Sequence, residues 1–319
     1  MAYTRDIYRR VQDELLRRRD TALSEAQARR EEVHRRNGEL KVLDAALSHT
    51  AMHLFEAATS GANAKARMEE VRRENEALLA ARVELLADMG LPADYTEVHY
   101  TCPACSDTGY VLTSMCACQR KLLQLEALRA GGVANTETQT FESFDLDYYN
   151  DTPAIRHRME QNLAAAKEYC EDFTPAKGNL LLMGGTGLGK THLSTAIALR
   201  VIEQGYPVIY ETVQAVLADF EYDRFRNSYS TEEGRAEKYL EVPLLILDDL
   251  GTEFSSQFTV SCLYQLVNTR LVRGLATVIS TNLTGQELQE RYDARLTSRF
   301  LGEYRVLQFL GTDVRLQKR

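Results

Sequence analysis

Eight consecutive residues, Gly184-Gly185-Thr186-Gly187-Leu188-Gly189-Lys190-Thr191, fit every fixed position of the pattern G-x-x-x-x-G-K-[ST]. Glycines at these places let backbone N–H groups turn inward around a β-phosphate without side-chain clash. Lys190 then reaches the β- and γ-phosphates, and the Thr191 hydroxyl ligates magnesium. The helix that must follow aims the positive end of its dipole at the same anion. An apolar run, Leu180–Met183, precedes the loop and a helical pattern, His192–Arg200, follows it. The loop therefore has the strand-to-helix context that triphosphate chemistry requires.

Leu244-Leu245-Ile246-Leu247-Asp248-Asp249 is a buried-strand run ending in two carboxylates. A carboxylate at the end of such a strand lies beside the phosphate loop in a parallel α/β sheet. Asp248 is expected to hold magnesium, directly or through water. Asp249 is expected to orient or deprotonate the attacking water, with Glu253, four residues on, as the fallback base. Ile279-Ser280-Thr281-Asn282 ends a further strand, and Asn282 is placed to touch a γ-phosphate or its water, or else to be a turn residue. Arg291, Arg295 and Arg299 recur every four residues and should line one helical face. One of them would act on a neighbouring subunit's γ-phosphate, unless they are surface ion-pairing residues. Arg315 is a candidate for a phosphate contact within the same chain. The expected ligand is ATP with Mg2+.

Cys102-Pro103-Ala104-Cys105 and Cys116-Ala117-Cys118 give C-x₂-C-x₁₀-C-x-C. Four thiolates in two close pairs suit tetrahedral zinc. Asp107-Thr108-Gly109 would close the first turn and Tyr110–Leu112 would return the chain as a short strand. Two disulfides or unligated thiols are the alternatives, and His99, three before Cys102, is a substitute ligand. Cys170 and Cys262 stand apart in helical patterns and read as small core residues.

The elements that must position these groups fall into a sequence of regions. Residues 1–98 contain no proline before Pro92 and are rich in Arg, Glu, Ala and Leu. Ile7, Val11 and Leu15 share a face, and Val33, Leu40, Leu47 and Leu54 recur every seven. Two or three long amphipathic helices are expected, as a hairpin or short coiled coil, with breaks at Asn37-Gly38 and Ser60-Gly61. This helical region is either a solvated, salt-bridged surface or a partner-docking adaptor. Residues 99–122 are the cysteine ribbon, 123–176 a linker with Gly131-Gly132 as hinge, and 177–319 the nucleotide-binding domain. In the last, Leu180–Met183, Val208–Glu211, Leu244–Leu247, Thr277–Ser280 and Val306–Phe309 read as strands. Helical patterns at 190–204, 213–226, 257–273 and 284–293 fall between them. The alternation predicts an α/β fold with a parallel sheet. Phe220-Glu221-Tyr222-Asp223-Arg224-Phe225-Arg226-Asn227-Ser228-Tyr229 interleaves aromatics and arginines, as single-stranded nucleic-acid surfaces do, or is a helix with Phe220 and Phe225 in the core. Arg270 and Arg273 would extend a basic surface.

Of the 319 residues, 44% are hydrophobic and 26% charged, the composition of a globular chain. The net charge of −8 excludes a chain-wide basic nucleic-acid binder but not a local patch. No apolar run approaches the roughly 20 residues that cross a bilayer, and the first residues carry charge at once, unlike a signal peptide. A cytoplasmic location is the expectation, and there a cysteine cluster is a metal site more often than a disulfide framework.

Taken together, Gly-Thr-Gly-Leu-Gly-Lys-Thr-His-Leu, Leu-Leu-Ile-Leu-Asp-Asp-Leu-Gly-Thr-Glu, Ser-Thr-Asn-Leu, Arg-Leu-Thr-Ser-Arg-Phe and Gly-Thr-Asp-Val-Arg resemble the AAA+ ATPases of the DnaC/DnaI helicase-loader and IstB transposition-helper group, over about residues 136–319. Phe141-Glu142-Ser143-Phe144-Asp145 resembles that group's lead-in segment, which packs near the nucleotide base. The resemblance implies a P-loop ATPase without a separate lid, completed between subunits of a homo-oligomer. By carry-over Asp249 is the catalytic acid, Asn282 sensor one, Arg299 the arginine finger with Arg295 as the alternative, and Arg315 sensor two. An aspartate where glutamate is usual implies slow turnover. The helical region with a zinc ribbon resembles DnaI-type loaders, in which the ribbon would be structural. The partners so implied are a DnaB-type replicative helicase and single-stranded DNA. The alternatives are an IstB-like regulator of a transposase and an ATP-switched adaptor with little turnover.

Overall fold

The computed structural model describes residues 4–59, 63–131, 133, 138–225 and 234–317. The chain divides into two compact units, one of residues 12–116 and one from Ala117 onward that includes the start of α1 up to Val11.

Helix α1 (Arg5–Arg36) ends where Asn37 adopts extended backbone and caps α2 (Gly38–Ala58). The Asn37 Oδ1 accepts from the Glu39 and Leu40 amides, at 2.9 and 3.3 Å, so the break expected at Asn37-Gly38 is a working N-cap. Helix α2 packs on α3 (Ala64–Asp88). Ser60-Gly61, expected as the second break, lies outside the described residues. Val33, Leu40 and Leu86 are fully buried together, with Leu91 and Tyr95 against them. Asp44 accepts from His34 Nε2 and Arg82 Nε, each at 2.8 Å, which ties the three helices by hydrogen bonds as well. The described residues hold no helix long and apolar enough to cross a membrane.

Strands β1 (Tyr110–Val111) and β2 (Ser114–Met115) pair antiparallel between the two cysteine pairs. Helix α4 (Ala117–Ala130) follows at once, then a 3₁₀ turn (Leu146–Tyr149) and α5 (Pro153–Cys170). These are core elements. Leu128, Tyr149, Met159, Ala166 and Tyr169 are buried against the sheet, so residues 123–176 are not a linker. Gly132, in the expected hinge, lies outside the described residues.

The sheet comprises β3 (Asn179–Met183), β4 (Val208–Thr212), β5 (Leu244–Leu250), β6 (Ala276–Thr281) and β7 (Tyr304–Gln308). All neighbours are parallel, in the order β4-β5-β6-β3-β7. The five expected strands are all present, with ends that differ by at most three residues. Alternate side chains enter two cores, as the two-residue period dictates. Leu180, Leu182 and Ile246 face α4, α5 and α6 (Lys190–Glu203). Leu181, Leu245 and Leu247 face α7 (Val213–Phe225), α8 (Glu237–Glu241), α9 (Gln257–Val272), α10 (Gly285–Arg291) and α11 (Ala294–Gly302). A short α12 (Val314–Gln317) follows β7. The helix expected over 284–293 is α10, and a further helix that was not expected follows it. Asp293 is an N-cap whose Oδ1 accepts from the Leu296 amide at 2.8 Å, and this restarts the chain as α11.

Candidate nucleotide site

The parallel order brings the carboxyl ends of β3, β5, β6 and β7 to one edge, where ligands bind in such sheets. The loop after β3 runs into α6 through Gly189, at φ +84°, where the Tyr149 hydroxyl comes within 2.7 Å of where a Cβ would sit. Gly187, at φ +71°, faces the Asp313 carboxylate so closely that no Cβ fits between them. The Val314 amide donates to the Gly187 carbonyl at 3.0 Å. The segment after β7 therefore forms one wall of the loop.

Lys190 is buried, and its Nζ donates to the Gly184 and Gly185 carbonyls at 2.8 and 2.6 Å and to Asn282 Oδ1 at 2.7 Å. Burial draws its ammonium below the ordinary lysine range, against the opposing charges of Asp249 and Asp248. The lysine and the β6-end asparagine thus meet, although 92 residues separate them.

Asp248 is held from three sides. Its Oδ2 accepts from Thr191 Oγ1 at 3.3 Å and from the Tyr210 hydroxyl at 2.9 Å, and its Oδ1 accepts from Ser280 Oγ. Burial, then the Asp248 charge, raises the Tyr210 hydroxyl well above its usual range, so Tyr210 remains a donor. Neither Tyr210 nor Ser280 was anticipated from sequence. A tyrosine within an otherwise aliphatic strand and a serine ahead of Asn282 were the available signals.

Asp249 sits at φ +59° beside an irregularity in the β5–β6 ladder between Leu247 and Leu250. Its amide donates to Ser280 Oγ at 3.0 Å. The left-handed turn sends the two neighbouring carboxylates to different places, and backbone strain of this kind clusters at functional sites. Burial, then the Asp248 charge, raises the Asp249 carboxyl, with Lys190 and Arg315 opposing. Asp249, Lys190, Thr191, Asn282, Val314 and Arg315 line one cavity of about 310 Å3 with the loop itself. Thr191 and Asp248 offer two oxygens 3.3 Å apart, near the roughly 2.9 Å between adjacent ligands of an octahedral magnesium. Together these residues suit an anionic triphosphate, a divalent cation and a water-activating carboxylate.

A family model for IstB-like ATP binding proteins matches residues 115–319. The chain belongs to the IstB-like ATP-binding family. The replicative helicase loader DnaC of Escherichia coli K12 is 28% identical over 137 residues, 43% of this chain and 56% of its own length. The chain thus spans just over half the length of that curated relative. The phage-like element PBSX protein XkdC of Bacillus subtilis 168 is 27% identical over 251 residues, 73% of this chain and 86% of its own. A crystal structure of DnaI matches with TM-score 0.45 and 22% identity over 56% of this chain and 92% of that one.

Other residues expected in this IstB-like site lie elsewhere. The three arginines do not share one helical face, because the Asp293 cap interrupts it. Arg291, in α10, donates to the Glu253 carbonyl and lies 3.4 Å from its carboxylate. Glu253, the fallback base, is buried, takes the Tyr292 hydroxyl and the Gly251 amide, and does not line the cavity. Arg299 lies over the Tyr264 ring, 4.5 Å from its centre, and donates to Asn268 Oδ1 at 2.7 Å. Arg295 is exposed beside a groove lined by Ser256, Val260, Tyr264 and Asp293. Neither Arg295 nor Arg299 lines the cavity of its own chain.

Arg270 is wholly buried and so adds nothing to a basic surface, whereas Arg273 is about half exposed beside Glu241. In α7, Phe220 packs on the core while Phe225 is 74% exposed, with Arg224 stacked on Phe225 and Phe258. Arg226 to Tyr229 lie outside the described residues. Cys170 and Cys262 are buried, and burial pushes the Cys170 thiol up to about 12.

The ligand atoms of Cys102, Cys105, Cys116 and Cys118 all lie within 4.8 Å of one another, and His99 is not in this group. The Cys102 and Cys116 sulphurs are 3.8 Å apart, matching the roughly 3.8 Å edge of a tetrahedron with 2.3 Å Zn–S bonds. Asp107 accepts from the Thr101 and Cys102 amides at 2.8 and 2.9 Å and fixes the first turn. The donor set and spacing fit structural zinc.

Proposed function

We propose that the protein is an ATPase that loads a DnaB-type replicative helicase onto single-stranded DNA, with Mg2+ at the nucleotide and Zn2+ in the cysteine ribbon. The observation that carries this reading is the convergence of Lys190, Thr191, Asp249 and Asn282 on one cavity in an IstB-like domain, with Asp248 hydrogen-bonded to Thr191 behind it. The relatives named as replicative helicase loaders support the choice of partner.

In the proposed reaction, loop amides and Lys190 hold the β- and γ-phosphates. Asp249 takes a proton from the attacking water as its oxygen bonds to the γ-phosphorus and the bond to the β-bridging oxygen breaks, giving ADP and phosphate. Thr191 and Asp248 would hold magnesium, which would supply charge neutralisation at the phosphate oxygens. Asn282, released from Lys190, contacts the γ-phosphate, and Arg315 approaches it within the same chain. Arg299, with Arg295 as its alternative, acts on a neighbouring copy's nucleotide, which makes the active form a homo-oligomer. The helical region of residues 1–98 is the partner-binding adaptor, and the work is done in the cytoplasm.

A second reading is favoured by the family match itself. The same ATPase would regulate a transposase. Pull-down of the host helicase against a transposase separates the two, and recovery of neither would sink both. Measuring helicase delivery and phosphate release separately in Lys190→Ala tests the rest. Loss of both supports the loader, whereas delivery that persists without turnover makes the chain an ATP-switched adaptor.

A further inference from the structure

The cavity that holds the phosphate loop contains one polar group for which phosphate chemistry has no use. Gln139 lines it, and the buried Gln139 Oε1 has no hydrogen-bond partner among the described residues. Buried acceptors left without donors are rare and costly in folded proteins. Outside the phosphate loop, the other polar lining groups have assigned partners or charge. Lys190 and Asn282 bind each other, Asp249 and Arg315 are ionic, and His192 Nε2 contacts the Thr140 carbonyl at 2.9 Å. Outside the loop, Gln139 and Val314 remain, a neutral amide and a half-buried apolar side chain.

We propose that Gln139 is the residue that selects adenine, an inference that rests on the ATPase reading. An amide side chain pairs with adenine in two bonds, its oxygen accepting from the 6-amino group and its nitrogen donating to N7. Hypoxanthine carries a 6-oxo acceptor in place of the amine, so the amide keeps only one bond in either orientation. Val314 supplies the apolar contact for the ring. The backbone beside Gln139 is already fixed. The Thr140 amide donates to Ser143 Oγ at 2.9 Å, and Phe144 packs edge-on against His192 in α6, with ring centres 5.2 Å apart. This strap holds Gln139 at the cavity before nucleotide arrives, which limits the ordering cost of binding.

The test is displacement of a fluorescent ATP analogue from the full chain by ATP, inosine triphosphate and 7-deaza-ATP. Wild type should bind the two analogues about tenfold more weakly than ATP, one hydrogen bond being lost in each. Gln139→Ala, which loses both bonds, should bind all three alike and more weakly than the wild type binds either analogue. Gln139→Glu, which can accept from the amine but not donate to N7, should still prefer ATP to inosine triphosphate while losing its preference over 7-deaza-ATP. Equal binding of ATP and inosine triphosphate by wild type overturns the inference without any variant, as does an unchanged preference in Gln139→Ala. Tight binding blind to the base would leave the ATPase reading intact. Failure of wild type to bind any of the triphosphates would remove both.

Discussion

Arg270 offers a sharp test of what holds the sheet together at the amino ends of β5 and β6, opposite the nucleotide edge. Its guanidinium is fully buried and donates to the Tyr239, Val242 and Ala276 carbonyls and to Thr277 Oγ1, at 2.8, 2.9, 2.5 and 2.9 Å. These acceptors belong to α8, the residue after it, and the start of β6, so one side chain ties α9 to both α8 and β6. None of the four acceptors is a carboxylate, and burial pulls the guanidinium down to about 10. Arg270→Ala would strand three main-chain carbonyls and open a cavity. At about 1–3 kcal/mol for each orphaned acceptor, partly offset by relief of the buried charge, the net loss is about 3 kcal/mol. For a domain of this size that is a fall of roughly 6–12 °C in Tm. Arg270→Lys keeps charge but loses the planar fork and should fall between the two. The readout is circular dichroism with hydrogen exchange on β5 and β6 amides, which isolates the nucleotide-binding unit from residues 12–116. A loss below about 1 kcal/mol, or exchange that rises equally in both units, would refute the reasoning.

Three further outcomes are expected. Because burial and Asp248 raise the Asp249 carboxyl and the base must be ionised, kcat should fall as pH drops through a value above the ordinary aspartate range of about 3.9. Asp249→Asn should be slower by a factor of about 10²–10⁴ with that acid limb gone, and an acid limb at or below 3.9 in the wild type would remove Asp249 from the role. Gly187→Ala forces a Cβ into the Asp313 carboxylate at a positive φ and should weaken ATP binding at least about tenfold, the left-handed strain alone being about 1–2 kcal/mol. Asp313→Ala in the same molecule should restore part of that, and unchanged affinity in the single variant would show that the wall is soft. Metal analysis should find about one zinc per chain, lost in Cys116→Ser, while a value under half an equivalent would count against the ribbon.

The phosphate loop, Asp248 and the five strands were legible because each is a local matter. Loop chemistry depends on spacing within eight residues, and a parallel strand buried on both faces is an uninterrupted apolar run. What escaped depended on partners distant in sequence. Glu253 reads as a spare base until Arg291, 38 residues away, and Tyr292 occupy it. Arg270 reads as surface charge until four acceptors surround it. The arginine stripe failed for a different reason. Spacing by four was counted across Tyr292-Asp293, although an aspartate ahead of an apolar run is itself a helix start. Helices α4 and α5 are illegible in the sequence because their apolar residues are buried only against strands far along the chain. Gln139 carried no signal in the chain at all, since an unpaired oxygen exists only in three dimensions.

The segment after β7 leans on the phosphate loop through Asp313 and the Val314 amide, and is pinned in turn where the Thr312 amide donates to Asp151 Oδ2 at 2.9 Å. The loop therefore cannot change shape alone. Any molecule that grips α12 and prefers one position of it must alter ATP affinity by some factor, and ATP must alter that molecule's affinity by the same factor. A few residues of tail thus serve as a lever with the triphosphate at its other end, and force or occupancy at either end is felt at the other.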